Sequence, residues 1–192
     1  MNERNNGMAK FVVFEGGDGS GKTGIAYALN SMMSGTHIHS GPPMAGHAAK
    51  TWDGLITYAA YDSVCPVIFD RLHWGEYVYG SLFRVPELGL RDVIEMNDRI
   101  LDSGGELVYV KCNVAERVCR AMSRTGTLGL YEEEGIQPRV NDLYDEIYEA
   151  SIAAGQDVTV IDTSKHIIKY LDLMELNATI ANTLVKKFGW PV

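Results

Sequence analysis

The chain has 192 residues, enough for one domain that buries most of its apolar surface, and its 46% apolar and 22% charged residues are ordinary for a globular protein. A net charge of −8 weighs against a protein that coats duplex nucleic acid, because such proteins present a basic face to the phosphates. No run of about 18 apolar residues occurs, so no membrane-spanning helix is expected and no membrane partner is implied.

The N-terminal stretch MNERNNGMAK is polar and lacks the apolar core of a secretory signal, so residues 1–8 read as a frayed tail and 9–192 as a single domain. Lys10–Glu15 (KFVVFE) is the first predicted strand. Directly after it, Gly16-Gly17-Asp18-Gly19-Ser20-Gly21-Lys22-Thr23 satisfies G-x-x-x-x-G-K-[ST] in full, and a helix over Gly21–Met33 follows. Glycines let such a loop turn successive N–H groups inward without Cβ atoms holding phosphates at a distance. The helix then aims its positive dipole end at the same phosphates. Gly17, Gly19, Ser20, Gly21, Lys22 and Thr23 are therefore the expected ATP-binding residues, with Lys22 on the β- and γ-phosphates and Thr23 on Mg²⁺. A chance match on a Gly-rich turn is the bland alternative, and the strand–loop–helix context argues against it.

Thr36–Ser40 and Pro66–Asp70 are the next predicted strands. The second ends in Asp70-Arg71. An acid at that point can orient Mg²⁺, and the arginine can grip an acceptor phosphate bidentately. A surface ion pair where a strand becomes a loop is the other reading. Past the same strand end, His73-Trp74-Gly75-Glu76-Tyr77-Val78-Tyr79-Gly80 offers Trp74 or Tyr77 for stacking on a base and Glu76 for a sugar hydroxyl. It reads equally as a helix whose aromatic side packs on the sheet.

Leu88–Leu101 places apolar residues on one helical stripe, Glu106–Lys111 is a fourth strand, and Val114–Met122 a further helix. Arg117, Arg120 and Arg124 share a face of that segment, which runs into the flexible stretch Thr125–Gly129. An arginine on a mobile lid, taken here as about residues 117–138, supplies charge to a transferring phosphoryl once the site closes. Arg120 and Arg124 are the expected lid arginines, Arg124 first; a solvated basic face is the alternative. A helix over Arg139–Ala153, a fifth strand over Asp157–Asp162 and a helix over Ser164–Lys187, capped by Thr163 or Ser164, complete the chain. Strands alternating with helices imply a parallel three-layer α/β domain whose ligands bind beyond the carboxyl ends of the strands. Cys65, Cys112 and Cys119 are too scattered for a disulfide framework or zinc site and read as thiols in a reducing cytoplasm.

Taken together, Phe14–Thr23, Asp70-Arg71, Cys119–Arg124, Tyr148 and Val160–Thr163 resemble the thymidylate kinase family of P-loop nucleotide kinases. The resemblance implies a P-loop NTPase fold with a five-stranded parallel sheet in the order 2-3-1-4-5, ATP with Mg²⁺ as donor, Asp18 on the acceptor sugar and Arg71 on its phosphate. Between Ser40 and Pro66 the chain lacks that family's Pro-Gly-Gly-Thr turn and arginine-bearing helix. His39–Pro43 with Asp70–Glu76 looks more like the compact thymidylate-kinase-like proteins of bacteriophages, which would work in the host cytoplasm. Family members are often dimers, so a homodimer is among the assemblies implied, although no stretch of sequence marks an interface.

Three functions follow. The leading one is an ATP-dependent kinase of a deoxynucleoside monophosphate, with Lys22, Asp70, Arg71 and Arg124 catalytic. A second keeps the chemistry and takes the hydroxyl of 5-hydroxymethyluracil within DNA as acceptor. A third is an ATPase or switch module with no acceptor; no N-K-x-D guanine motif is present, and the length leaves little room for the sensor elements of a motor.

Overall fold

The computed structural model describes residues 10–125, 135–164 and 170–190. Five strands form one parallel sheet: β1 (Phe11–Glu15), β2 (Thr36–His39), β3 (Val67–Asp70), β4 (Gly105–Lys111) and β5 (Val158–Asp162), in the order β2-β3-β1-β4-β5. The expected order and parallel direction are both present. β1 is wholly buried and pairs with β3 on one side and β4 on the other, Phe14 opposite Asp70 and Val108. Its continuous apolar run follows from this position, because helices cover both faces of the sheet.

Alternate residues of β1 feed two cores. Val12 and Phe14 meet α1 (Lys22–Met33) and α7 (Tyr170–Lys187) on one face. Phe11 and Val13 meet the other layer, formed by α2 (Ala48–Thr57), α3 (Trp74–Phe83), α4 (Leu90–Asp102) and α6 (Gln137–Ala153). α5 (Val114–Thr125) lies after β4. Residues 165–169, where the last helix was expected to begin, the tail 1–8 and the middle of the expected lid fall outside the described residues; of the two expected caps, Thr163 donates its hydroxyl to the Ser20 carbonyl at 2.8 Å and Ser164 its amide to Asp162 at 2.8 Å.

α2 was not expected from the sequence. It carries Trp52 and Ile56 inward, runs on into one π-helical turn at Tyr58–Asp62, and has no side-chain cap of its own. Its first turn is instead capped from a distance: Glu87, between α3 and α4, accepts the N–H groups of Gly46 and Ala48 through its two carboxylate oxygens. No described helix is long and apolar enough to cross a membrane.

Candidate active site

The loop between β1 and α1 sits at the centre of the sheet's carboxyl edge, beside the end of β3. Lys22, 4% exposed, turns its Nζ back to donate to the Gly17 carbonyl at 3.0 Å. Two of the loop's glycines have a reason beyond phosphate access. A Cβ on Gly17 would collide with the Arg117 guanidinium from α5, and one on Gly19, already at φ +80°, would come 2.9 Å from the Arg117 carbonyl oxygen. α5 therefore packs directly on the outside of the loop.

The arginines of α5 grip carbonyl groups there. Buried Arg117 donates from Nε to the Asp18 carbonyl at 2.7 Å and from Nη1 to Asn141 on α6. Arg120 reaches the Gly19 and Ser20 carbonyls at 3.4 Å, the Thr163 carbonyl at 2.8 Å, and Glu116 at 2.8 Å. Peptides whose carbonyls are held outward keep their N–H groups turned in, which is the arrangement a phosphate cradle needs. Thr163 closes the ring, its hydroxyl donating to the Ser20 carbonyl at 2.8 Å. Arg124 lies on α5 by its backbone, but its side chain is outside the described residues.

Asp70 ends β3 wholly buried. Its Oδ2 accepts the Thr23 hydroxyl at 2.6 Å and lies 3.0 Å from His39 Nδ1, while Oδ1 is buried with no hydrogen-bond partner. An undonated carboxylate oxygen beside a threonine hydroxyl, at the head of α1, suits a hard divalent cation. Thr23 and Asp70 are thus brought together as the sequence leads one to expect of metal-holding residues.

Arg71 follows with φ +76°, a left-handed conformation rare outside glycine. Its guanidinium pairs with the Asp18 carboxylate and lies 5.6 Å from the centre of the Tyr79 ring. Tyr79 donates its hydroxyl to Asp18 at 2.9 Å. Beside this cluster opens a cavity of about 200 Å³, walled by Asp18, Arg71, Tyr79, Glu76, Trp52 and the loop Ser40–Pro43. Glu76 stands in that wall, its carboxylate paired with Arg84 and accepting the Glu87 N–H at 3.2 Å.

Trp74 is a correction. It does not line the cavity: its ring is 0% exposed, packs 5.8 Å from Tyr109 and 6.4 Å from Tyr144, and donates Nε1–H to Asn97 at 2.8 Å. No face is left for a base. Tyr77 also turns away, to Glu146 on α6 at 3.2 Å. For Trp74 and Tyr77 the packing reading holds, while Glu76 of the same helix does reach the cavity. Tyr79 takes the place at the cavity, and Arg117 joins the loop. The sequence carried a signal for each, Tyr79 five residues after Trp74 and Arg117 one turn before Arg120.

Two buried ionisable groups face each other behind Arg71. Burial pushes the Glu15 carboxyl up to about 7, against the opposing effect of N–H groups from Trp74 and Leu72 and the cations Lys22 and Arg71. Burial pulls His73 down to about 4, opposed by its bonds to Asn97 and Val93. A carboxyl raised on folding binds its proton more tightly in the folded state, so its stabilising contribution is full below about 4.5 and is lost as pH rises through about 7. Wild type is therefore expected to lose about 3 kcal/mol relative to Glu15→Gln between those limits. Urea unfolding of both proteins from pH 4 to 8 measures the difference, and parallel curves would remove the assignment. His73 has the opposite sign: its contribution is full above about 6.5 and fades toward 4.

No family model matches the sequence, and none of the curated proteins does. Solved structures do match in fold. The YorR protein of Bacillus subtilis, in complex with phosphorylated GDP, superposes with a TM-score of 0.70 at 18% identity, over 95% of this chain and 99% of that one. Deoxyadenosine kinase from M. mycoides with bound dATP gives 0.55 at 16% identity, over 93% and 99%. Polyphosphate Kinase 2 from Arthrobacter aurescens TC1 gives 0.55 at 16% identity, over 95% of this chain and 70% of that one. The chain has the three-layer α/β/α P-loop NTPase fold, with its five-stranded parallel sheet in the order 2-3-1-4-5. Identities this low establish the fold alone.

Proposed function

We propose that the chain transfers the γ-phosphoryl of ATP to the phosphate of a deoxynucleoside monophosphate, releasing ADP and a deoxynucleoside diphosphate. The observation that carries this reading is the Asp18–Arg71–Tyr79 cluster, which joins the donor loop to a cavity on the acceptor side. An acceptor phosphate would meet Arg71 there, and a sugar hydroxyl would meet Asp18 or Glu76. The small cavity favours a compact acceptor.

The protein's part is positioning and charge, since phosphoryl transfer asks for little covalent chemistry from it. Lys22 holds the donor's terminal phosphates, the loop's inward N–H groups bind their oxygens, and Arg124, as the expected lid arginine, would add charge to the transferring phosphoryl. Arg120 keeps the loop in shape and joins the nucleotide from its edge. Thr23 and Asp70 would hold Mg²⁺, which when bound offsets charge on the phosphate oxygens.

Labelled ATP offered with each deoxynucleoside monophosphate, each deoxynucleoside and hydroxymethyluracil-containing DNA tests the proposal. Label is expected in a deoxynucleoside diphosphate. Label in DNA would move the acceptor to the modified base, label in a monophosphate would move it to a nucleoside hydroxyl, and no labelled product from any of them would remove the kinase reading.

A further inference from the structure

We infer that Glu15 is a positioning residue whose carboxylate fixes the turn that presents Arg71, and so sets the acceptor side of the site in register with the donor loop. The inference rests on the reading of Arg71 given above. Glu15 is the last residue of β1, next to the first glycine of the loop, and is 1% exposed. Its Oε1 accepts two amides from the far side of Arg71, those of Leu72 and Trp74, each at 3.0 Å. The Arg71 amide itself donates to the Phe14 carbonyl at 2.9 Å, adding one bond beyond the end of the β1–β3 ladder. Three amides of the turn are thus held by two consecutive residues of β1.

That grip explains how a non-glycine residue stays at φ +76°. Such a conformation persists only where its surroundings over-determine it. Leu72 and Trp74 are buried, at 2% and 0% exposure, so their N–H groups find no water if the carboxylate is removed. The relaxation open to the chain is to rotate the turn toward negative φ. The Arg71 guanidinium, paired with Asp18 of the loop and lying over Tyr79 of α3, then swings off its place at the cavity. Glu15 does not line that cavity; its effect passes through Arg71.

A double-mutant cycle separates this from a purely structural role. Glu15→Ala is expected to raise the acceptor KM about 10- to 100-fold, since a displacement of about 1 Å has effects of that size. The KM for ATP should stay within about twofold, and Glu15→Gln, which keeps an oxygen acceptor, should stay near wild type. In an Arg71→Ala background, adding Glu15→Ala should change the acceptor KM by less than about twofold, because residues acting through one another are not additive. If Glu15→Ala does not fold, Glu15→Asp, with its carboxylate withdrawn by one methylene, replaces it in the cycle. Equal losses in both backgrounds, or a rise in the KM for ATP as large as that for the acceptor, overturn the inference alone. A wild-type protein that phosphorylates no acceptor overturns the proposed function, and this inference with it.

Discussion

Lys22→Ala is expected to lower the rate of phosphoryl transfer by about 10³-fold while leaving the protein folded. The lysine ammonium is buried within the arc of the loop, where it donates to the Gly17 carbonyl. A cation in that setting is screened little by water, so its effect on a triphosphate is far larger than that of a surface lysine. Lys22→Arg should not restore the rate, because a planar guanidinium does not fit where a compact ammonium sits. Transfer of labelled phosphate and a thermal melt check the prediction. Activity within about tenfold of wild type, in a folded Lys22→Ala protein, would show that the loop is not the donor site.

Trp74→Ala is expected to cost about 3–5 kcal/mol of stability, the usual range for removing a large buried aromatic. The indole packs beside the stacked rings of Tyr109 and Tyr144, and its N–H ends on Asn97, which also meets His73 Nε2 at 2.8 Å and donates to Ser151 and Gln156. Removing it opens a cavity and takes one donor from a buried polar cluster. Trp74→Phe keeps most of the volume and loses only the donor, so it should cost about 1–3 kcal/mol. Urea unfolding distinguishes the two. A residue stacking on an acceptor base would behave otherwise: alanine there would raise the acceptor KM with stability intact, and that outcome would restore the reading the fold displaced.

Much of the architecture was legible because it rests on local patterns. Apolar runs marked four of the five strands, the octet Gly16–Thr23 marked the loop between β1 and α1, and Asp70-Arg71 at a strand end marked the neighbouring edge. Features that depend on distant partners were not. α2 has no capping residue beside it, since its cap is Glu87, 39 positions from Ala48. Trp74 and Tyr79 share a helix and similar chemistry, yet one faces the sheet and the other the cavity; only the helix's docking against α6 and the loop decides which. Arg117 looks like its neighbours on a basic face, and its burial follows from how α5 leans on glycines about a hundred positions earlier.

The cap that Glu87 supplies to α2 also bears on how an acceptor enters and a product leaves. The segment Ser40–Pro43 walls the cavity, and the chain just beyond it, at Gly46 and Ala48, is pinned by hydrogen bonds to a carboxylate that stands in solvent. Hydrogen bonds to a charged group are worth about 1.5–3 kcal/mol each, and contact with water reduces that. At its near end the same segment is tied to β3, the Ser40 amide donating to the Asp70 carbonyl at 3.3 Å, so its two ends are held by very different surroundings. If the cavity takes the acceptor as proposed, a change at Glu87 should therefore act on the wall's outer end, and on how quickly an acceptor enters and leaves, more than on the buried Asp70 beneath it.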